Sequence, residues 1–182
     1  MRSVVVTGVS TGIGRATATL LAAKGFRVFG SVRKAQDAAA LAQALGAAFE
    51  PLVFDVTDEA AVPAAAQAVR ARLEGQTLAG LVNNAGIAVA GPFSHLPVAE
   101  FRKQLEVNLV GPMIVTQAFL PLLGTDPSLN GPKGRIVNIS SVGGKIGAPF
   151  LGPYVTSKHG LEGFSESLRR ELMHYGIDVI MV

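Results

Sequence analysis

Cysteine is absent from the 182 residues. The chain therefore has no disulfide framework, no thiol nucleophile and no cysteine metal site. Such a composition suits a reducing compartment. Tryptophan is also absent, and only two tyrosines are present. Few rings are available to stack on bases, and the basic residues are dispersed. The net charge of +3 thus does not amount to a nucleic-acid surface. His95, His159 and His174 are too few and too scattered for a metal cluster. No apolar run reads as long enough to span a membrane. Met1-Arg2-Ser3-Val4-Val5-Val6 passes directly into a strand-like run and leaves no room for a signal peptide. The expected location is the cytoplasm, with neither nucleic acid nor membrane as a partner.

What is present is a large apolar fraction, 49%, against 16% charged residues. That balance excludes disorder and is enough for one domain with a sizeable core. Short apolar runs predict strands over 3–7, 27–32, 49–54, 78–83, 135–140 and 178–182. Helical spacing predicts helices over 12–24, 34–45, 58–73, 100–123 and 154–175. Thr57 or Asp58 should cap the third of these, and Gly111-Pro112 should bend the fourth. Residues 124–134 are polar and rich in Gly and Pro, hence a loop. Continuously apolar strands alternating with helices predict a parallel sheet covered on both faces. The expected fold is α/β of the Rossmann type: a doubly wound, three-layer α/β/α domain over 1–182. Strand order should be 3-2-1-4-5-6, with ligand at the carboxyl ends of the strands.

A glycine-rich turn, Thr7-Gly8-Val9-Ser10-Thr11-Gly12-Ile13-Gly14, joins the first strand to the first helix. Gly8 allows the tight turn, Gly12 lets backbone approach a pyrophosphate, and Gly14 lets helix pack close to sheet. The helix N-terminus then presents N–H groups to the phosphates. A dinucleotide is the expected cofactor. The end of the second strand should meet the adenosine ribose. It reads Gly30-Ser31-Val32-Arg33-Lys34, with no carboxylate to repel a 2′-phosphate. Arg33 can fork onto such a phosphate, Lys34 adds charge, and Ser31 can donate a hydrogen bond. The expectation is NADP(H) in preference to NAD(H).

Tyr154 and Lys158 lie four apart, just past Gly152-Pro153 and at the head of a long helical pattern. Positions i and i+4 share a helix face. An ammonium beside a phenol favours the phenolate, and a tyrosine so placed can serve as acid–base near neutral pH. The same spacing also arises where a half-buried Tyr neighbours a solvated Lys.

Taken together the motifs resemble the classical short-chain dehydrogenase/reductase family along the whole chain. They are Thr7-Gly8-x-x-x-Gly12-Ile13-Gly14, Asp55-Val56-Thr57, Asn83-Asn84-Ala85-Gly86, Asn108, Ser140-Ser141 and Tyr154-x-x-x-Lys158. The spacing Gly-x-x-x-Gly-x-Gly is the family's own. The resemblance implies Tyr154 as proton donor and acceptor, Lys158 on the nicotinamide ribose, and Ser141 on the substrate oxygen. It further implies that Asn108 holds a water linking Lys158 to solvent. Ser10, Thr11, Gly12 and Ile13 would face the cofactor, Asp55 the adenine amino group and Val56 its ring. Asn83, Ala85 and Gly86 would line the cofactor, with Asn83 nearest. NADP-preferring members often carry a second basic residue inside the glycine turn, where this chain has Thr11.

The segment from Val142 to Pro153 is small and apolar apart from Lys145, and with Ile87–Phe93 it could wall a site for an apolar alcohol, ketone or aldehyde. This region resembles the branch with retinol and 17-beta-hydroxysteroid dehydrogenases. The family continues past a sixth strand with a substrate loop, so the chain reads as truncated there. Family members also pair the helices equivalent to 100–123 and 154–175 into homodimers or homotetramers. Competing readings are a non-catalytic NADP(H) sensor, and a dehydratase or epimerase, whose glycine turns are usually spaced differently.

Overall fold

The computed structural model describes all residues from 1 to 182. Six strands form a parallel sheet in the order β3-β2-β1-β4-β5-β6. They are β1 (Ser3–Val6), β2 (Arg27–Val32), β3 (Phe49–Val53), β4 (Gly80–Asn83), β5 (Arg135–Asn138) and β6 (Asp178–Met181). The helices are α1 (Gly12–Ala23), α2 (Ala35–Leu45), α3 (Ala61–Arg72), α4 (Val98–Leu105), α5 (Gly111–Phe119) and α6 (Gly152–Leu172). This is the expected doubly wound α/β architecture.

The strands read as continuous apolar runs because both faces are covered. Along β1, Val5 enters the larger core with Phe119, Ile136 and Leu172. Its neighbours Val4 and Val6 enter the smaller core with Ala18, Val28 and Leu41. One strand thus feeds two layers, as the period of two requires. Cross-strand register runs Val6↔Gly30, Val6↔Val82 and Asn83↔Asn138. The carboxyl ends of the four central strands are thereby brought to one edge of the sheet.

The predicted ends of several elements shift. Helix α3 starts at Ala61 because the Asp58 carboxylate accepts from the Ala60 and Ala61 amides at 3.0 and 2.8 Å. Of the two capping candidates Asp58 therefore serves, while Thr57 is held by Asp55 at 2.8 Å. The helix predicted over 100–123 is interrupted by a π-helical turn over Glu106–Val110, between α4 and α5 and immediately before Gly111-Pro112. Pro112 has no N–H to return to the carbonyl of Asn108, so the α ladder cannot pass through regularly.

The membrane reading also needs correction. The helical run Val98–Leu123, 26 residues with mean hydropathy 1.3, is long and apolar enough to cross a membrane by length and composition alone. Within it the Gln104 and Asn108 side chains are buried against protein, and Phe119, Leu122 and Leu123 belong to the larger core.

Candidate active site and cofactor cleft

A cavity of about 450 Å³ opens where β1, β2, β3 and β4 end. Its floor is the glycine turn. Gly8 and Gly12 adopt φ of +69° and +58°, the left-handed region that glycine enters without strain. A Cβ on Gly14 would lie 2.3 Å from the Gly8 carbonyl and from Asn84 Nδ2, so only glycine lets α1 approach this closely. A Cβ on Gly12 would meet nothing within 4 Å. Thr11 makes no side-chain cap and the first turn of α1 has no acidic residue. Its amides are thus left for an external anion. An open glycine cradle under an uncapped helix start fits the pyrophosphate of a dinucleotide.

Ser10, Thr11, Gly12 and Ile13 line this cavity, as do Arg33, Asp55, Val56, Ala85 and Gly86. Asp55 is also a turn former, accepting from Thr57 N at 3.0 Å. Arg33 is exposed and forms no salt bridge. Ser31 is turned inward, where its hydroxyl accepts from Gly8 N at 3.1 Å and pins the turn to β2.

Asn83 is a departure from expectation. Its side chain does not line the cavity, and Asn84 takes that place. Asn83 Nδ2 instead donates to Asn138 Oδ1 (2.8 Å) and Thr116 Oγ1 (3.0 Å). Asn138 in turn donates to Ser165 at 2.7 Å. This buried chain fastens α5 and α6 to the sheet. The physical reason is strand alternation: Asn83 follows Val82, so its side chain enters the α5 face.

The second cluster lies beyond β4, where α6 packs on the end of β5. Lys158 is 7% exposed, and its ammonium donates to the Ile139 carbonyl at 2.6 Å. Burial lowers its pKa from the ordinary 10.5, because the charged form loses solvent. Its Nζ stands 5.8 Å from the centre of the Tyr154 ring. Ser141 Oγ accepts from Gly143 N at 3.1 Å, which leaves the hydroxyl hydrogen free. A Cβ on Gly143 would lie 3.2 Å from Tyr154 Cε1 and 3.5 Å from Ser141 Oγ, so the two residues flank this glycine. Neither Ser141, Tyr154, Lys158 nor Asn108 lines the cavity itself.

Asn108 joins the two clusters. Its Oδ1 accepts from Ile87 N at 2.9 Å, and its Nδ2 donates to Ile87 O at 3.0 Å and Ser157 Oγ at 3.2 Å. Ile87 lines the cavity, and Ser157 precedes Lys158. The Asn108 side chain is thus fully engaged.

Two participants escaped the sequence reading. Gln104 is fully buried, accepts from Val89 N at 2.6 Å and donates to Ile87 O at 2.8 Å. Ser157 is also fully buried and donates to the Tyr154 carbonyl at 2.7 Å. The available signal was polarity on an inward stripe. Gln104 and Asn108 share helical spacing with Gly111 and Val115, and Ser157 shares it with Leu161, Ser165 and Leu168.

The fold is that of a Rossmann-type domain, with an open glycine cradle at the cleft and the Tyr154, Lys158 and Ser141 cluster beside it. A family model described as short chain dehydrogenase matches residues 2–182, and the chain belongs to that family. Among similar proteins is an NADPH-dependent 3-dehydrocapnine reductase from Ornithobacterium rhinotracheale. It is 44% identical over 182 residues, which are 100% of this chain and 64% of the relative. Human retinol dehydrogenase 5 is 41% identical over 98% of this chain and 54% of its own. The crystal structure of a short-chain dehydrogenase from Streptomyces avermitilis superposes with a TM-score of 0.90 at 34% identity, covering 99% of this chain and 64% of that one. The chain thus spans between about half and two thirds of the length of these relatives.

Proposed function

We propose that the protein is an oxidoreductase interconverting an alcohol and a carbonyl with NADP(H), on an apolar substrate. The observation that carries this reading is the convergence of Tyr154, Lys158 and Ser141 where α6 meets the end of β5. The bound nicotinamide would supply the hydride that reaches the carbonyl carbon. Tyr154, whose hydroxyl makes no hydrogen bond within the protein, gives the proton to the oxygen in reduction and takes it in oxidation. Ser141 donates its free hydrogen to the same oxygen as negative charge develops there. Lys158 is fixed by Ile139 and places positive charge beside the Tyr154 ring; by the family pattern it also holds the nicotinamide ribose. By the family pattern Asn108 would hold the water that links Lys158 to solvent.

Preference for NADP(H) rests on Arg33, an unpaired guanidinium on the cavity wall with no carboxylate at the end of β2. The relative named as NADPH-dependent agrees with it. An apolar substrate is supported by Val142, Ile146 and Phe150, all exposed between Ser141 and Tyr154. The exposed Phe93 joins them from a loop tied over by the Gly91 N to Phe150 O bond of 2.9 Å. The reading carries a cytoplasmic location, from the cysteine-free composition, and a homodimer or homotetramer, which light scattering checks.

The test is the full-length protein mixed with NADPH and a panel of apolar ketones and aldehydes, followed by NADPH absorbance. Consumption with at least one carbonyl is expected. Binding of NADPH with no consumption across the panel overturns the reading in favour of a sensor.

A further inference from the structure

Tyr154, Lys158 and Glu162 follow one another at four-residue intervals along α6 and so form one stripe. Each faces a different point of the chain leaving β5. Tyr154 packs beside Gly143 and Ser141, and Lys158 holds the Ile139 carbonyl. Glu162 has no part in the chemistry above, yet it makes two close contacts. Its Oε1 accepts from the Ser140 hydroxyl at 2.6 Å, and its Oε2 accepts from Lys145 Nζ at 2.8 Å.

Ser140 and Lys145 bracket the short turn Val142–Gly144 that Ser141 caps. Gly144 is buried between the two anchors. A Cβ there would lie 2.8 Å from Ser140 Oγ and 3.0 Å from Glu162 Cγ, so only glycine lets the carboxylate reach both partners. The Glu162 side chain is 13% exposed, whereas that of Lys145 is 68% exposed. The Lys145 ammonium and then the Ser140 hydroxyl hold the carboxyl below its ordinary value, so it is ionised at neutral pH.

We infer that Glu162 is a positioning residue for Ser141. Its carboxylate clamps both ends of the serine-bearing turn to the helix that carries Tyr154, fixing the distance between the two groups that share the substrate oxygen. The clamp is a third rung on a ladder whose other rungs are Tyr154 and Lys158. A misplaced serine would still permit cofactor binding, because no group of the clamp lines the cofactor cavity. The effect therefore falls on turnover. This inference rests on the oxidoreductase reading only for its consequence; the clamp itself can be measured without catalysis.

The experiment uses the full-length protein as wild type, Glu162→Ala, Lys145→Ala, Glu162→Lys, and the double variant Lys145→Glu with Glu162→Lys. Hydrogen exchange of the amides of residues 143–146 is read first, with no cofactor or substrate present. Glu162→Ala is expected to speed their exchange about tenfold, the size of one lost charge-assisted contact, while β1 and β4 stay unchanged. The charge-swapped double variant should recover most of the loss seen in Glu162→Lys, which faces Lys145 with like charge. Unchanged exchange in Glu162→Ala, or acceleration spread evenly over the sheet, overturns the clamp. Lys145→Ala changes an exposed side chain and keeps the test decisive should the Glu162 variants fold poorly.

The second readout is turnover of NADPH with decanal, or with whichever panel carbonyl the wild type reduces. Glu162→Ala should lower kcat about tenfold with NADPH affinity unchanged and the swap restoring rate. Faster exchange with an unchanged kcat overturns the positioning role. A wild type that reduces no carbonyl sinks the oxidoreductase reading, and exchange alone then decides the clamp.

Discussion

The ammonium of Lys158 donates a 2.6 Å hydrogen bond to the carbonyl of Ile139. Ile139 immediately precedes the two serines, so this bond ties the helix bearing Tyr154 to the segment bearing Ser141. It also explains how a lysine can be buried here, since the charge has an acceptor where it has lost water.

Burial gives Lys158 a pH signature. Its folded-state pKa lies below the ordinary 10.5 because the charged form is desolvated. Between those two values the unfolded chain binds a proton that the folded chain does not, so stability rises with pH in that window. Below the folded value the cost of burying the charge is fully present; above 10.5 it has gone. The difference in melting temperature between wild type and Lys158→Met should move in favour of wild type as pH rises towards 10.5. A difference flat with pH would contradict the desolvated lysine.

Tyr154→Phe removes a hydroxyl that bonds to nothing in the protein. Melting temperature should barely move, within about 0.5 kcal/mol of stability. Turnover should fall by about 10²–10⁴-fold, the usual contribution of a positioned acid–base, with NADPH affinity largely intact by titration calorimetry. Retained activity rules out proton transfer by Tyr154.

Arg33→Asp places a carboxylate where the 2′-phosphate is expected. The Michaelis constant for NADPH should rise about tenfold or more, the scale of a charged hydrogen bond, and far more than that for NADH. Equal effects on the two cofactors dismiss the NADP(H) assignment.

Two glycines of one turn should fail in different ways. Gly12→Ala meets nothing within 4 Å but keeps φ at +58°. It should cost about 1–2 kcal/mol of stability and weaken NADPH binding, because its methyl enters the cradle. Gly14→Ala meets the Gly8 carbonyl and Asn84 at 2.3 Å. It must push α1 off the sheet, so its melting temperature should drop more than that of Gly12→Ala. The reverse order would contradict the roles given to the two positions.

The strand order and the glycine turn were legible because they rest on local signals. Apolar runs, turn glycines and helical spacing are properties of neighbouring residues, and parallel strands joined by helices leave few topologies open. Tyr154 and Lys158 were legible for the same reason, since a four-residue spacing on a helix is already a geometry. The π-helical turn was not, because the proline that disrupts the ladder acts on a carbonyl four residues earlier. Asn83 was misplaced because a strand residue's face depends on register, which turned Asn83 inward to Thr116 and Asn138 and left Asn84 at the cavity.

By itself the sequence determined a doubly wound α/β chain, a glycine-rich turn between first strand and first helix, and a tyrosine and lysine one helical turn apart, all encoded within short spans. Only the tertiary structure decided what holds them in place. Asn108 reaches Ile87 and Ser157, Lys158 reaches Ile139, and Glu162 reaches Ser140 and Lys145. Each of these contacts joins residues at least 17 positions apart. Buried polar groups must find partners, and which partner each one finds is fixed only when helices and sheet pack together.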